Sequence, residues 1–245
     1  SFETLNIEST GGASRFANIG SDATVAVGAP PVAATSLVKT VNVTGTANLR
    51  VDNALLNVTT VDANAFEGNL RVMLDATKNV TVTGGKGADY FDFVAGLSNL
   101  DTVNGGDGRD TIAVTTNAGL GDGNKVTNVE ILRNDGAAAA TIFDLAKVAS
   151  FDAVVHNSAG VLGTTYNNFS KAGAADAAKG LTILNTDNVT ISVKDANALG
   201  SNSDVLYVNV GTAQNAATFV AGTVTTAAIE KIVVDVKDAG ANTAT

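Results

Sequence analysis

The sequence of 245 residues contains no cysteine, no tryptophan and a single histidine, His156. Without cysteine, the chain has no disulfide, no zinc–thiolate centre, no iron–sulfur cluster and no thiol nucleophile. Because extracellular domains without disulfides need another means of stabilisation, bound metal ions become a candidate. The lone histidine has no G-x-S-x-G turn to accompany it, which disfavours a serine hydrolase, and we interpret His156 as structural.

Charged residues are also few. The 15 basic and 24 acidic side chains amount to 16% of the chain and leave a net charge of −9. That balance disfavours nucleic acid or an anionic membrane surface as a partner. No run approaches about 18 consecutive apolar residues, so the sequence predicts no membrane-spanning helix. The sequence begins at Ser1 rather than at Met, and we expect it to be a piece of a longer protein.

Glycine, by contrast, occupies 25 positions, and short segments alternate apolar with polar residues through the first half of the chain. Residues 41–44, 49–51, 58–61, 70–74 and 80–82 are the clearest of these segments. A period of two is typical of half-buried strands, and Gly, Asn and Asp between the segments supply the turns. The pattern predicts an all-β fold, which is either a sandwich or a solenoid.

The second half begins differently. Residues 141–148 and 171–179 are the best helix candidates, so one or two short helices are predicted around 137–180. Residues 181–193 and 205–210 return to strand alternation. We therefore divide the chain into a module at 1–136 and a second β-rich module at 137–245. An apolar-Glu-x-apolar element at 129–132 and again at 229–232 favours a stacked architecture.

Two segments carry the most specific pattern in the chain. Residues 84–92 (GGKGADYFD) and 105–113 (GGDGRDTIA) match the nonapeptide G-G-x-G-x-D-x-U-x of calcium-binding parallel β-rolls at every fixed position. Glycines permit positive φ and turn carbonyl oxygens inward, and the Asp adds an anionic oxygen, which together suit Ca²⁺. The motifs start 21 residues apart, which we interpret as one coil of about 18 residues plus a short insertion. We predict that the two turns stack on one edge with Ca²⁺ between them.

The calcium ligands follow from these motifs. Asp101 lies on the intervening edge, residues 96–101, where it is expected to serve a second ion, and Asp204 belongs to a decayed copy of the motif at 199–207. The predicted ligand set is Gly84, Lys86, Asp89, Asp101, Gly105, Asp107, Asp110 and Asp204. No catalytic residue and no organic cofactor is predicted.

The two nonapeptides resemble the RTX repeats of proteins that Gram-negative bacteria export by type I secretion. The longer stretch, in which Thr- and Val-rich strands at 80–83 and 102–104 are interleaved with the motifs, is similar to RTX-type surface-layer (S-layer) proteins. The resemblance covers most of residues 40–135 and, less closely, 181–236. It departs from the long tandem arrays of RTX toxins and proteases, since only two intact motifs are present, and this favours a lattice module.

That resemblance implies a secreted, extracellular cell-surface protein in which Ca²⁺ orders the fold and drives assembly. We expect a structural, non-enzymatic module whose partner is itself, in a lateral homo-oligomer or lattice. Contact with cell-surface lipopolysaccharide is expected only through regions outside this sequence. Two alternatives stay open: a secreted adhesin that presents a ligand-binding face, and an accessory β-roll of a secreted hydrolase or epimerase.

Overall fold

The structure is a computed structural model, which describes residues 3–19, 38–75, 77–93, 97–117, 120, 125–136, 141–158, 163–185, 187–194, 204–211 and 222–236. The chain divides into two compact units. Unit 1 comprises Ser1–Ala113 and Gly123–Val129, and unit 2 comprises Val114–Asp122 and Glu130–Thr245.

Unit 1 consists of short strands joined by turns. Its strands are β1 (Thr4–Ser9), β2 (Ser14–Phe16), β3 (Thr40–Gly45), β4 (Leu49–Leu55), β5 (Thr60–Asp62), β6 (Leu70–Leu74), β7 (Thr81–Thr83), β8 (Tyr90–Asp92), β9 (Thr102–Asn104), β10 (Thr111–Val114) and β11 (Lys125–Thr127). One sheet has the order β1-β3-β5-β7-β9-β11, and β2, β4, β6, β8 and β10 are neighbours in the other. Strands that follow one another in the chain thus belong to different sheets, and each pairs in parallel with the strand of the next coil. This is a parallel β-solenoid, as predicted, and not a sandwich.

The solenoid register aligns like residues along each sheet of unit 1. Val61 pairs with Val82, and Val82 pairs with Val103. These valines are at most 1% exposed, while the threonines on either side of Val82 face outward or are half-buried. On the other sheet, Phe91 pairs with Ile112, and both are fully buried. Inward-facing side chains from the two sheets therefore form the core, and strand alternation places them there.

Unit 2 has the same construction. Its strands are β12 (Ile131–Asn134), β13 (Thr141–Asp144), β14 (Ala153–His156), β15 (Thr164–Phe169), β16 (Leu181–Ile183), β17 (Val189–Val193), β18 (Val205–Val210), β19 (Val224–Ala227) and β20 (Lys231–Val236). One sheet has the order β13-β15-β17-β19, and β12-β14-β16-β18-β20 are successive neighbours in the other. All of these neighbours pair in parallel.

Among the described residues, helical structure consists of two single turns within 137–180. A 3₁₀ turn spans Leu145–Lys147, and the α-helix α1 spans Lys171–Ala174. The helix candidate at 141–148 is wrong in its first half, because Thr141–Asp144 pairs in register with Thr164–Asn167 as strand β13. Three other predictions fall at least partly outside the described residues. They are the start of the helical segment at 137–140, the start of the intervening edge at 96 and the decayed motif at 199–203. No helix in the described ranges is long and apolar enough to cross a membrane.

Candidate metal centre

The turns that carry the two nonapeptides lie on the same edge of unit 1, one coil apart. The backbone N–H of Asp89 donates to Oδ1 of Asp110 at 2.7 Å, so the two motif aspartates are direct neighbours as predicted. Asp89 precedes β8 and Asp110 precedes β10, and β8 pairs with β10. The two aspartates are 21 residues apart, which is also the offset between the paired strands β7 and β9. One coil is therefore 21 residues long here, and the predicted insertion into a shorter coil is not needed.

Both motif aspartates point into the solenoid. Asp89 is 1% exposed and Asp110 is fully buried. Oδ1 of Asp89 accepts the Leu70 N–H at 2.8 Å, and Oδ2 accepts the Gly85 N–H at 2.7 Å. Burial raises the pKa of Asp89, and these two hydrogen bonds oppose that rise. Asp89 therefore accepts one backbone N–H of the preceding coil and one of its own turn, while Oδ1 of Asp110 accepts the Asp89 N–H of the preceding coil.

The motif glycines are required mainly by how closely the coils approach. A Cβ at Gly85 would overlap the carbonyl oxygen of Phe66, and a Cβ at Gly84 would overlap that of Gly105. Positive φ, which we expected for these turns, occurs at Gly106 (96°) and Gly108 (115°) of the second motif. The described glycines of the first motif do not adopt it. Contact between backbones is thus a second reason for glycine in this pattern.

The opposite edge repeats the arrangement with Asp101. This residue is 1% exposed, and its Oδ1 accepts the Val80 N–H at 2.6 Å, one coil earlier. Its Oδ2 accepts the Ser98 N–H of its own turn at 2.7 Å. Asp101 therefore has the same two kinds of partner as Asp89, and each edge of unit 1 carries a buried carboxylate.

The remaining predicted ligands lie in different surroundings. Lys86 is exposed, and its Nζ forms an ion pair with Glu67 at 2.6 Å, so only its carbonyl oxygen is a possible ligand. Asp107 is exposed, and its backbone N–H donates to the Gly85 carbonyl at 2.9 Å. Gly84 and Gly105 are buried in the stacked turns. Asp204 belongs to unit 2, where its N–H donates to Oε2 of Glu230 at 2.8 Å.

The donor set at the stacked turns is chemically suited to Ca²⁺. Carboxylate and carbonyl oxygens are the ligands that this ion takes. Each carboxylate oxygen has about two acceptor positions, so one N–H bond per oxygen at Asp89 leaves acceptor capacity. The described residues contain no group of three acidic or histidine side chains that would hold an ion. Carbonyl oxygens of the turns would therefore have to supply most of the ligands.

Unit 2 contains a buried polar cluster that the sequence did not predict. His156 is fully buried, with Nδ1 2.9 Å from the hydroxyl of Tyr166 and Nε2 3.6 Å from Oδ2 of Asp187. Asn134 donates to the same hydroxyl at 3.1 Å. Burial lowers the pKa of His156, although the Asp187 carboxylate raises it, and burial raises the pKa of Tyr166. The sequence analysis singled out only His156, as the single histidine of the chain, and gave no sign of its neighbours in this cluster.

The cluster lies within the core of unit 2. His156 and Tyr166 are each fully buried, so neither side chain is exposed to solvent. Tyr166 stacks on Phe143 with ring centroids 5.4 Å apart, which fixes its ring in the core. The arrangement orients polar groups within the core of unit 2, in line with the structural interpretation of His156.

The chain matches no protein-family model, no curated protein and no solved structure.

Proposed function

We propose that this chain is a structural, non-enzymatic module of an RTX-type bacterial surface layer, which folds and self-assembles with Ca²⁺ outside the cell after type I secretion. The observation that carries the proposal is the stacking of two complete G-G-x-G-x-D turns, with Asp89 hydrogen-bonded to Asp110. The ion would bind at these turns through Asp89, Asp110 and neighbouring carbonyl oxygens.

Charge supports a role for a cation at this edge. Asp89 and Asp110 are buried one coil apart in a chain of net charge −9. The hydrogen-bond donors to Asp89 are backbone N–H groups, which carry no full positive charge. A buried carboxylate is costly without a countercharge, and a divalent ion supplies one. Calcium binding would then be coupled to the stacking of the coils.

The architecture supports a structural role. The described strands pair coil upon coil, and the one histidine is buried away from solvent. A regular solenoid offers long sheet faces for lateral contact between copies, which a lattice requires. Self-association is therefore the property to measure.

The test is light scattering and electron microscopy of the purified chain in millimolar Ca²⁺ and in excess chelator. We expect large ordered assemblies with Ca²⁺, and their dispersal when chelator is added. Asp110→Ala should prevent assembly, whereas Asp62→Asn, which neutralises an exposed carboxylate on β5, should not. A chain that keeps the same monomeric size in both buffers would contradict the proposal, and glycan binding by such a monomer would favour an adhesin.

A further inference from the structure

One dipeptide of unit 1 joins the end of a strand to the second nonapeptide. Asn104 is the last residue of β9, and Gly105 begins the stacked turn. Of all the asparagines in the sequence, Asn104 is the only one that is followed by glycine. Glycine has no Cβ to shield its backbone nitrogen. Attack of that nitrogen on the preceding asparagine side chain is therefore less hindered here than at any other asparagine of the chain.

The reaction open to this pair is deamidation. The backbone nitrogen of Gly105, after it loses its proton to a base in solvent, forms a bond to Cγ of Asn104. The bond between Cγ and Nδ2 breaks, Nδ2 leaves as ammonia, and a five-membered succinimide ring remains. Water then opens the ring at either carbonyl, which yields aspartate or isoaspartate at position 104. The net change replaces an amide by a carboxylic acid and consumes one water molecule.

The folded chain opposes the first step in two ways. The N–H of Gly105 donates to the carbonyl oxygen of Thr127 at 3.0 Å, which holds the attacking nitrogen in the sheet ladder. Asn104 pairs with Thr83 on one side and with Thr127 on the other, so its backbone is extended. The ring closes only when that backbone rotates away from the strand value of ψ, about +115° in a parallel sheet. Deamidation therefore requires β11 to detach from this part of the chain.

The side-chain amide, by contrast, is already polarised. Oδ1 of Asn104 accepts the Gly106 N–H at 3.2 Å and an N–H of the Asn128 side chain at 2.9 Å. Donors on a carbonyl oxygen stabilise the negative charge that develops there during attack, as in an oxyanion hole. The bond to Gly106 lies within three residues of chain, so it does not require β11. The restraint on the reaction thus lies at the nitrogen of Gly105 and not at the carbonyl.

The strand that restrains this nitrogen is held by few contacts. β11 comprises only Lys125–Thr127 and is the last strand of its sheet in the described part of the chain, where its neighbour is β9. The strand at the other end of that sheet, β1, is twice as long, with 6 residues against 3. Segments with few buried contacts open at a lower free energy than the core of a domain. We propose that Asn104 is a site of spontaneous deamidation, which reacts when β11 detaches from β9.

The product does not fit the native turn. A carboxylate at position 104 adds negative charge to a turn that already contains Asp107 and Asp110. Isoaspartate also lengthens the main chain by one atom, at a point where Gly105 is so close to the carbonyl oxygen of Asn128 that even a Cβ would overlap it. The modification therefore prevents β11 from pairing again in register. Its consequence for assembly rests on the proposed function: a chain that stays unfolded before it meets Ca²⁺ would gradually lose the ability to stack these turns.

The site is tested by peptide mass mapping after the chain is incubated at mildly alkaline pH, in native buffer and in concentrated urea. In urea, the peptide that contains Asn104 should gain acid faster than any other asparagine-containing peptide. In native buffer the gain should be slower by about tenfold or more, because reaction then requires an opening. Asn104→Gln, whose side chain would need a larger and slower-forming ring, should abolish the gain in urea. The matched control Asn64→Gln changes an exposed asparagine that is followed by alanine and should leave the gain at Asn104 unchanged.

The role of β11 is tested by two variants in native buffer. Val126→Ala removes buried contacts of β11 itself, and Val61→Ala removes buried contacts of β5, two strands away from β9 in the same sheet. Val126→Ala should speed the reaction about tenfold, and Val61→Ala should speed it much less. If Val126→Ala does not fold, the unmodified chain decides the matter. Its reaction rate should change little with urea below the unfolding transition, because release of a three-residue strand exposes little surface.

Each opposite result overturns the inference. Faster reaction at another asparagine in urea would remove Asn104 as the site, and equal rates in urea and native buffer would show that the fold does not protect it. Equal acceleration by the two valine variants, or a rate that rises steeply with low urea, would show that the whole unit must unfold first. All samples contain the same Ca²⁺ concentration, and none of these comparisons requires a response to the ion or assembly of copies. The proposed function and this site can therefore fail separately.

Discussion

The backbone N–H of Asp89 donates a 2.7 Å hydrogen bond to the carboxylate of Asp110, the equivalent residue of the next coil. Leu70 makes the same bond to Asp89 at 2.8 Å. The aspartate of each motif therefore fastens its own turn to the coil before it. This bond joins two groups of the protein, so Asp110 has a stabilising role in addition to any role as a metal ligand.

Removal of that acceptor should destabilise unit 1. In Asp110→Ala the buried N–H of Asp89 loses its partner, which costs about 1–3 kcal/mol in the free energy of unfolding. Urea denaturation should show the loss in chelator as well as in Ca²⁺. Asp107→Ala, at an exposed position of the same turn, should change stability in chelator by no more than about 0.5 kcal/mol. A loss confined to Ca²⁺-containing buffer would instead assign Asp110 to the metal only.

Glycine substitutions should separate close coil contact from loop flexibility. Gly85→Ala places a Cβ against the carbonyl oxygen of Phe66, which the backbone must move to avoid, so we expect a loss of about 1–3 kcal/mol or more. Gly12→Ala has no atom within 4 Å of the added Cβ and should be close to neutral. Denaturation midpoints of the two variants give the comparison. Equal effects would mean that the coils do not approach as closely as the structure shows.

Calcium should raise the stability of the chain steeply. An ion that binds only the native turns contributes RT ln(1 + [L]/Kd), or about 2.7 kcal/mol per site at one hundred times Kd. Thermal unfolding should therefore shift upward in millimolar Ca²⁺ and downward in chelator. Mg²⁺ should replace Ca²⁺ poorly, because it requires a tighter octahedral shell. Identical thermal unfolding midpoints in Ca²⁺ and in chelator would show that Ca²⁺ does not stabilise this fold.

The buried histidine should make unit 2 sensitive to mild acid. Burial lowers the pKa of His156 in the folded state below the 6.5 of an exposed histidine. Its contribution is therefore fully present above about pH 6.5 and is lost as pH falls, because the unfolded chain then binds the proton first. The loss is at most about 1.4 kcal/mol per pH unit.

His156 is the single histidine of the chain, so its imidazole resonances can be followed by NMR without assignment. The folded chain should titrate with a midpoint below that of the urea-unfolded chain. In His156→Gln the stability lost between pH 7 and pH 5.5 should be smaller than in the unmodified chain. A folded midpoint at or above 6.5 would show that the Asp187 carboxylate, 3.6 Å from Nε2, outweighs burial.

Much of the fold could be predicted from local pattern. Alternation placed Val61 and Val82 inward, and the matching motifs placed Asp89 beside Asp110. Pattern alone did not separate a solenoid from a sandwich, because a half-buried strand has the same period in both. The partner of each strand lies a full coil away in the sequence, and only the structure shows that pairing.

The candidate site was harder to predict, because it depends on where each oxygen points. The motif predicted Asp89 and Asp110 as metal ligands, and in the structure both accept hydrogen bonds from backbone N–H groups. The helix candidate at 141–148 failed over its first half because a strand partner at Thr164–Asn167 outweighed a weak helical preference. The register of Asn104 with Thr127 is invisible in the sequence, since the two residues belong to separate strands.

The offset of 21 residues that joins β5 to β7 and β7 to β9 fixes the lengths that this part of the chain can have. Deleting one residue in β7 would turn Val82 outward and a threonine inward, since neighbouring strand positions face opposite sides. Deleting 21 residues would instead bring Thr60 beside Thr102 in the same phase. The length of this part of the chain can therefore change without reversing strand faces only by whole coils. We expect related sequences to differ by whole coils, with insertions or deletions of single residues confined to the turns.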